Sequence, residues 1–476
     1  MKYCFAVIIP LLILFSVFSC KPDDEVITKA GDARLEFSTD TVFFDTVFVS
    51  TGSVSKRLKI YNPNNKAVVI SDIRLEKLGN SNYDLIIDGQ PRDIASNITL
   101  RGQDSLLILV KVFIDPNNSA EPFIVEDNIL LSTNGNEQKV NVAAYGQNAV
   151  IYKNEVTELT CNEVWQGPKA YVLYGRVIVK ENCTLTIMPG TRVYVHNNSE
   201  LRVLGTLKVE GTKTNKVTFQ NDRLDSTFAH IPGQWNGIFI LGASRNNKIQ
   251  YAEVKNALYG LSIQNNQGNQ TVVENTVVKN MFFAGLLGVR ADIKVTNSLF
   301  TNCGQFAIAG VGGGNYDFNY CTIANYTPDF KRDDPAVAFT DSVVIEGGLD
   351  TNPTFVTFKN SIIWNGNRNG KMDNELLFLT ADGLQNITIE NSLIQTNRYQ
   401  NAAKFSGKGN LFNQDPKFKQ PGDNSVIARK IDYSLEDDSP AIGGAATNGV
   451  SIDLRGENRP AGTNPNPDMG AYENQN

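Results

Sequence analysis

One charged segment between two apolar runs has the residue types of a ligand-binding loop. It contains Asp329, Lys331, Arg332, Asp333 and Asp334. Carboxylate oxygens of this kind bind Ca²⁺, whereas a lysine beside an arginine binds the carboxylate of an acidic sugar. Long loops on a rigid scaffold often carry binding residues, although a solvated loop has the same composition. The segment therefore predicts a calcium or acidic-sugar site, with a solvated charged loop as the alternative.

Two aromatic residues have the chemistry of a sugar-stacking surface. Trp235 lies in the sequence His-Ile-Pro-Gly-Gln-Trp-Asn-Gly, and Tyr316 follows three consecutive glycines and an asparagine. An exposed ring of either type can pack against the apolar face of a sugar. The alternative for Trp235 is a buried position at a structural corner. If exposed, these residues would form part of a glycan-binding groove.

Asparagines recur at a regular spacing in the second part of the chain. Each leads a short apolar run, and the first two intervals are 22 residues (297 minus 275, and 319 minus 297), followed by 41 and 31. A unit of that length made of short strands cannot bury its own apolar face, so the units must stack into a solenoid. Stacking brings successive asparagine amides within hydrogen-bond distance. The predicted asparagine ladder comprises Asn275, Asn297, Asn319, Asn360 and Asn391.

The cysteine spacing depends on the same register. Cys161 and Cys183 are 22 residues apart, one full period, which places their α-carbons about 5 Å apart and predicts a disulfide. Cys303 and Cys321 are 18 residues apart and out of register, so we expect them to be unpaired, with Cys321 in the core. The two histidines lack a metal-ligand pattern, and no metal site is predicted for them.

The repeat over residues 150–438 resembles the pectate-lyase-like superfamily of right-handed parallel β-helices. Leu185–Val195 and Leu201–Gly211 show the same alternation and form the expected opening coils. The resemblance implies a parallel solenoid, and the superfamily includes polysaccharide lyases, hydrolases and non-enzymatic adhesins. Its polygalacturonase and pectate lyase motifs are missing, and the pairs Asp333-Asp334 and Asp437-Asp438 lie outside the repeat strands. No catalytic residue is predicted.

Two further segments flank the solenoid. Residues 33–149 contain short alternating runs separated by turns, which indicates a β-sandwich. Phe44–Phe48 and Ala144–Gln147 resemble parts of the immunoglobulin-like modules of Bacteroidota surface lipoproteins, which implies a spacer or docking module. Residues 439–476 are similar to the closing segment of secreted bacterial β-helix proteins, and we expect a salt-bridged cap over the last coil. The predicted fold is therefore all-β, with a sandwich, a β-helix and a cap.

The N-terminus has the pattern of a secretory signal. An apolar run from Phe5 to Phe18 is too short to span a bilayer as a helix, and it ends in Ser19 and Cys20. This ending resembles the bacterial lipobox, which implies a signal peptide over 1–19, lipidation (including palmitate) at Cys20 and a lipid-anchored linker over 20–32. The acidic residues after Lys21 are similar to an export signal of Bacteroidota lipoproteins. We therefore expect an outer-membrane protein that faces the cell exterior, with a soluble periplasmic protein as the alternative.

Charge and composition narrow the range of partners. The net charge is −6, and no basic cluster flanked by aromatics is present, which argues against nucleic acid. We expect a non-catalytic surface lipoprotein that is held to the membrane by its lipid and binds a polysaccharide or another envelope component. One alternative is a lyase or hydrolase of acidic polysaccharide. Another is a structural partner in an outer-membrane protein assembly, and no cofactor other than calcium is expected.

Overall fold

The chain forms two compact units, Met1–Asn148 and Ala149–Asn476. The computed structural model describes residues 25–117, 119, 122–225, 228–326, 332–365, 373–421, 431–462 and 464–476. The predicted signal peptide, Cys20 and residues 21–24 of the linker lie outside the described residues. Within the described residues, no helix is long and apolar enough to cross a bilayer.

The first unit is a β-sandwich of two sheets. Its strands are β1 (Glu36–Phe37), β2 (Thr41–Phe48), β3 (Lys56–Tyr61), β4 (Val68–Leu75), β5 (Tyr83–Ile87), β6 (Gln90–Pro91), β7 (Ile94–Leu100), β8 (Ser105–Val112), β9 (Phe123–Thr133) and β10 (Asn136–Gln147). The sheet orders are β1-β3-β8-β5-β6 and β2-β10-β9-β4-β7. Strand β8 buries Leu106, Ile108 and Val110 and turns the residues between them outward, as the alternating sequence predicts.

The second unit consists of short strands. In the part of the chain that the structure describes, they are β11 (Ala149–Tyr152), β12 (Val156–Glu158), β13 (Glu163–Trp165), β14 (Ala170–Leu173), β15 (Arg176–Val179), β16 (Thr184–Ile187), β17 (Arg192–Val195), β18 (Glu200–Val203), β19 (Thr206–Glu210), β20 (Val217–Asn221), β21 (Gly237–Ile240), β22 (Lys248–Gln250), β23 (Ala252–Lys255), β24 (Tyr259–Gln264), β25 (Thr271–Glu274), β26 (Val277–Met281), β27 (Ala284–Thr296), β28 (Leu299–Cys303), β29 (Phe306–Asn319), β30 (Thr322–Ala324), β31 (Val337–Thr340), β32 (Ser342–Ile345), β33 (Gly348–Thr351), β34 (Thr354–Lys359), β35 (Ile362–Trp364), β36 (Leu376–Leu379), β37 (Ile387–Glu390), β38 (Leu393–Ile394), β39 (Leu411–Phe412), β40 (Phe418–Gln420) and β41 (Asp432–Leu435), with a 3₁₀ helix at Ala403–Phe405.

Most of these strands form three parallel stacks. Stack I has the order β11-β14-β17-β20-β23-β26-β28-β30-β35-β38-β39. Stack II runs β12-β15-β18-β21-β24-β27-β29-β31-β36, and stack III runs β13-β16-β19-β22-β25-β27-β29-β34-β37, so the long strands β27 and β29 belong to both. Each coil passes through the three stacks in turn, and neighbouring coils pair in parallel. This arrangement confirms the predicted parallel β-helix and, with the first unit, the predicted fold class.

Alternate side chains of each stack enter one core. In stack I, Val254, Val278 and Phe300 are neighbours in successive coils and are fully buried. In stack III, the ring of Phe318 stacks on that of Phe358, with centroids 4.7 Å apart. Each such side chain contributes about 1.5–3 kcal/mol by leaving water. A shift of one residue in any strand would expose this set, so burial fixes the register.

Aromatic side chains close both ends of the core. At the first coil, the Trp165 ring stacks between Tyr152 and Tyr171, with centroids 5.7 and 4.8 Å away. At the last coil, Tyr399 and Phe405 are buried against the end of the core. The solenoid therefore covers its exposed ends with side chains from its own coils, as an open repeat array requires.

The cysteines follow the coil register. Cys161 and Cys183 form a disulfide with α-carbons 4.7 Å apart, beside the parallel pair of Glu163 and Leu185, and the predicted bond is confirmed. Cys303 and Cys321 are unpaired and buried, as expected. Burial raises the pKa of both thiols to about 12, so these side chains are apolar packing groups.

The C-terminal segment differs from the expected cap. It lies along the outer face of stack I, where Ala441, Leu454 and Met469 join a second apolar cluster. The outward residues of stack I change from charged in β23 to apolar further along, including Leu299 and Ile362. Because these apolar positions would otherwise face water, they determine where the segment packs. The expectation that it folds over the last coil was therefore wrong.

Candidate functional site

The charged loop does not present its arginine to a ligand. The Arg332 Nη2 lies 2.7 Å from Glu375 Oε2, and the two side chains are 2% and 0% exposed. Asp333 and Asp334 are exposed, whereas Asp329 and Lys331 lie outside the described residues. Among the described residues, no group of three or more acidic, histidine or cysteine side chains could hold a metal ion. The prediction for Arg332 was wrong because its partner, 43 residues further along the chain, lies in the adjacent coil.

Both predicted sugar-stacking residues are buried. Trp235 is 1% exposed, and its indole Nε1 donates to the carbonyl oxygen of Lys255 at 2.9 Å. Tyr316 is 3% exposed and lies on the inner face of β29, where its hydroxyl donates to the carbonyl oxygen of Gly313 at 3.1 Å. A Cβ at Gly288 would lie 2.5 Å from this ring, so glycine in the preceding coil makes room for it. Neither residue can stack on a sugar.

The asparagine ladder is interrupted at one coil. Asn297 Nδ2 donates to Asn275 Oδ1 at 2.6 Å, and Asn360 Nδ2 donates to Asn319 Oδ1 at 3.2 Å. Between these pairs, Tyr320 occupies the corner in the left-handed region (φ 52°), and the coil is 23 residues long (320 minus 297). Asparagine adopts this backbone conformation more readily than other residues with a Cβ. Because Tyr320 and not Asn319 lies at this corner, the predicted register was wrong by one residue in this coil.

The same corner attaches the C-terminal segment. Asn297 Nδ2 also donates to the carbonyl oxygen of Ile452 at 3.0 Å, and Asn360 exchanges hydrogen bonds with the backbone of Ala446 at 2.8 and 3.1 Å. Asn448 Nδ2 donates to Asn319 Oδ1 at 2.8 Å. The ladder residues thus have a second role in fixing the segment against the coils.

The segment also contains a buried charged cluster. Arg459 and Glu473 are 0% and 1% exposed at their side chains, and Arg459 Nε lies 3.4 Å from Glu473 Oε2. Asp468 and Asp453 are buried beside them and accept backbone N–H groups. Burial raises the pKa of Glu473 to about 7, with the neighbouring Asp468 adding to the effect. These contacts serve the fold of the segment, as expected for its carboxylates and arginines.

A second asparagine column was missed by the sequence analysis. It lies at the corner that follows stack I and contains Asn256, Asn280 and Asn302, with φ values of 66°, 58° and 52°. Asn256 Nδ2 donates to Asn221 Oδ1 at 2.8 Å, and Asn280 Nδ2 donates to Asn256 Oδ1 at 3.3 Å. Each of these repeats contains a second asparagine in the sequence, and this pattern could have predicted the column.

A row of aromatic rings follows the outer face of stack II and the corner that precedes β27. Phe239 and Tyr259 have centroids 6.3 Å apart, and Tyr259 stacks on Phe283 at 5.3 Å with an interplanar angle of 25°. Phe282 packs edge to face on Phe283 at 4.7 Å and is 43% exposed. We call these four residues the aromatic row. Phe239 lies between the buried Ile238 and Ile240, so strand alternation was the available sequence signal.

Charged groups adjoin the first ring of this row. Arg202 is the strand neighbour of Phe239, and its Nη2 lies 2.6 Å from Glu200 Oε1. Arg176 Nε contacts the same oxygen at 3.0 Å, while Asn236 Nδ2 donates to Glu200 Oε2 at 3.4 Å. Rings beside fixed polar groups form a surface that can contact both faces and edges of a sugar.

A polar cleft lies on the outer face of stack I, beside the C-terminal segment. Its volume is about 230 Å³, and its walls include Glu253, Lys279, Asn280, Thr301, Asn302 and Tyr433. The hydroxyls of Thr301 and Tyr433 are 2.6 Å apart and join β41 to the coil. Glu253 Oε1 lies 3.0 Å from Lys279 Nζ. We call this feature the lateral cleft.

A match to one protein family supports the β-helix. Residues 156–278 match the family described as "Pectate-lyase like beta helix domain". No curated protein matches the chain. The catalytic unit of the GH87 α-1,3-glucanase from Streptomyces thermodiastaticus is 12% identical with a TM-score of 0.27, over 71% of this chain and 79% of that one.

Two other solved structures are similar over shorter stretches. A family 123 glycoside hydrolase from Clostridium perfringens is 12% identical with a TM-score of 0.19, and the match covers 27% of this chain and 26% of that chain. The PapD-like domain of human CEP192 is 12% identical with a TM-score of 0.17, over 27% of this chain and 92% of that domain. The chain thus spans about a quarter of the C. perfringens enzyme. The chain carries a pectate-lyase-like β-helix domain preceded by a β-sandwich.

Proposed function

We propose that the second unit binds a polysaccharide through the aromatic row and does not cleave it. The observation that carries this proposal is a set of contacting rings, with one stacked pair and two edge-to-face pairs. Phe239, Tyr259 and Phe283 lie in successive coils, and Phe282 lies beside Phe283. Adjacent parallel strands are about 4.8 Å apart, close to the length of one sugar ring, so the row offers repeated aromatic contacts along a chain.

The contacts of Glu200 favour binding over hydrolysis. Glycosidases use two carboxyl groups that face each other across the scissile bond. Glu200 is the carboxylate beside the aromatic row, and two guanidinium groups contact its Oε1. A carboxylate held in this way positions the arginines and is a poor candidate for the general acid. We therefore propose recognition of the glycan without turnover.

The proposal includes a place at the cell surface. The pattern that ends at Cys20 supports a lipid anchor, and the acidic residues after it support export to the outer leaflet of a Bacteroidota outer membrane. In this arrangement, the sandwich acts as a spacer between the lipid and the β-helix. A β-helix that contacts glycan from this position would serve adhesion or the structure of the envelope.

Affinity electrophoresis of the purified chain against a polysaccharide panel tests the proposal. We expect Phe282→Ala and Tyr259→Ala each to weaken retardation roughly tenfold, or about 1.4 kcal/mol. Phe355→Ala is the matched control, because Phe355 is 47% exposed in the same unit but lies outside the row. Reducing ends and unsaturated products are measured in the same samples. Either product would show catalysis, and equal retardation of all variants would show that the row does not bind.

A second candidate function rests on an exposed apolar hairpin. Strands β32 and β33 pair Val344 with Leu349, and these side chains are 81% and 68% exposed. Apolar groups this exposed on a protruding element often mark a protein contact. The hairpin therefore favours a partner in an envelope assembly. Val344→Ser with Leu349→Ser should abolish cross-linking to such a partner and leave polysaccharide retardation unchanged, whereas unchanged cross-linking would exclude the hairpin.

A further inference from the structure

The lateral cleft interrupts the second asparagine column. The side-chain amides of Asn256 and Asn280 each donate to the preceding asparagine of the column, which begins at Asn221. Within the described residues, no hydrogen bond joins Asn280 to Asn302, although they lie one coil apart and both line the cleft. The column therefore stops where the cleft begins.

This interruption leaves one donor and one acceptor at the cleft. Asn280 uses its Nδ2 for Asn256 at 3.3 Å, and its Oδ1 has no partner among the described residues. Asn302 Oδ1 accepts from Thr301 Oγ1 at 3.3 Å. The Nδ2 of Asn302 likewise has no partner among the described residues. Asn302 is only 8% exposed. Both residues line the cleft, so a ligand that donates and accepts at one atom can pair with the two amides together.

A hydroxyl group has that chemistry. It can donate to Asn280 Oδ1 and accept from Asn302 Nδ2 at the same time. The cleft is also lined by Glu253 and Lys279, which form a 3.0 Å ion pair and offer a further acceptor and donor. Since the Glu253 carboxylate is already paired with Lys279 and Lys255, a charged ligand would have to break an existing ion pair, whereas a neutral polyol would not.

We propose that the lateral cleft binds one neutral sugar residue through its hydroxyl groups. One hydroxyl bridges Asn280 and Asn302, and a second contacts Glu253 and Lys279. The volume of about 230 Å³ accommodates a single pyranose ring. Val277 and Leu299, which also line the cleft, supply the apolar contact that sugar rings require.

This site is distinct from the aromatic row, and the inference does not rest on the proposed function. The lateral cleft lies on stack I, whereas the row extends from stack II to the corner at Phe282 and Phe283, so the two sites use different side chains. A free sugar can therefore occupy the cleft whether or not a polysaccharide binds the row. Different variants and different probes report on the two sites.

The test is a calorimetric titration of the full chain with the methyl glycosides of glucose, galactose and mannose. We expect saturable binding of at least one of them and a loss of about tenfold or more in Asn302→Gly. Glycine keeps the left-handed backbone at this corner, so the variant removes the amide without adding strain. Asn265→Gly is the matched control, because Asn265 is exposed and has φ 55°. The melting temperature of each variant verifies its fold.

The outcomes separate this proposal from the previous one. Binding that Asn302→Gly loses, and that Asn265→Gly and Phe282→Ala retain, supports the lateral cleft. Absence of saturable binding by all three glycosides overturns it, as does equal binding by wild type and Asn302→Gly. Loss of polysaccharide retardation in Phe282→Ala, measured separately, concerns only the aromatic row.

Discussion

Replacement of Arg332 by methionine should destabilise the second unit by about 3–5 kcal/mol, the usual cost of leaving a buried charge without its partner. Glu375 is fully buried and accepts from Arg332 Nη2 at 2.7 Å and from the backbone N–H of Ala336 at 2.8 Å. Burial already raises the pKa of Glu375. Removal of the guanidinium therefore leaves a carboxylate that must either stay charged in a dry site or take up a proton.

A second substitution tests whether the loss comes from the uncompensated charge. Arg332→Met with Glu375→Gln keeps an oxygen acceptor for the Ala336 N–H and removes the charge, so most of the lost stability should return. The loss in the single variant should also shrink at low pH. The pKa of Glu375 in the folded protein lies above its value in the unfolded chain. The stabilising effect of protonating Glu375 is therefore complete below the unfolded pKa and is lost as the pH rises through the folded pKa.

Tryptophan fluorescence during urea unfolding is the appropriate assay. The three tryptophans, Trp165, Trp235 and Trp364, all lie in the second unit, so the signal is independent of the sandwich. An unchanged midpoint in Arg332→Met would refute the reasoning, as would a double variant no more stable than the single one. Loss of polysaccharide binding without loss of stability would restore the sequence-based hypothesis that Arg332 contacts a ligand.

Three further predictions concern the segment, the first coil and the anchor. Burial raises the pKa of Glu473 to about 7 from an ordinary value of 4.5. Its contribution to stability should therefore be complete below pH 4.5 and lost as the pH rises to about 7. Glu473→Gln should flatten the dependence of the free energy of unfolding on pH in this range, as measured by urea unfolding. Alanine at both Cys161 and Cys183, which close a loop of 22 residues, should lower the free energy of unfolding by about 3 kcal/mol, measured by the same fluorescence, and no change would mean that the bond is unimportant. Cys20→Ser should move the protein from the detergent phase to the aqueous phase in a cloud-point partition, and wild-type protein in the aqueous phase would exclude the anchor.

The coil register was largely predictable from local pattern. The 22-residue separation of Cys161 and Cys183 and the asparagine spacing both follow from one physical requirement, that each coil bury its apolar face on the next. The register failed by one residue at Asn319, because Tyr320 rather than asparagine takes the left-handed corner. A pattern of residue types cannot reveal such an exchange, since the backbone conformation that defines the corner is shared by different side chains.

Side-chain exposure was much less predictable than register. Tyr316 and Trp235 have the composition of binding residues, but inward alternation buries the first and a corner buries the second. Arg332 and Glu375 are 43 residues apart, and only the stacking of coils brings them together. Predictions of this kind need the number of residues in each insertion as well as the repeat length, and the sequence gives no independent measure of where an insertion begins.

The position of the C-terminal segment connects these observations. Outward residues of a solenoid strand are free to vary in type unless another segment covers them. The change from a charged residue at Glu253 to apolar residues at Leu299 and Ile362 in stack I is therefore not explained by contacts within the coils. Met469 and Ala471 account for it by packing over those positions. The lateral cleft lies beside this cover, where the charged and apolar parts of the face meet. Its polar walls and its unpaired asparagine atoms therefore belong to an edge that the fold creates, which is where a pocket for a small neutral ligand is expected.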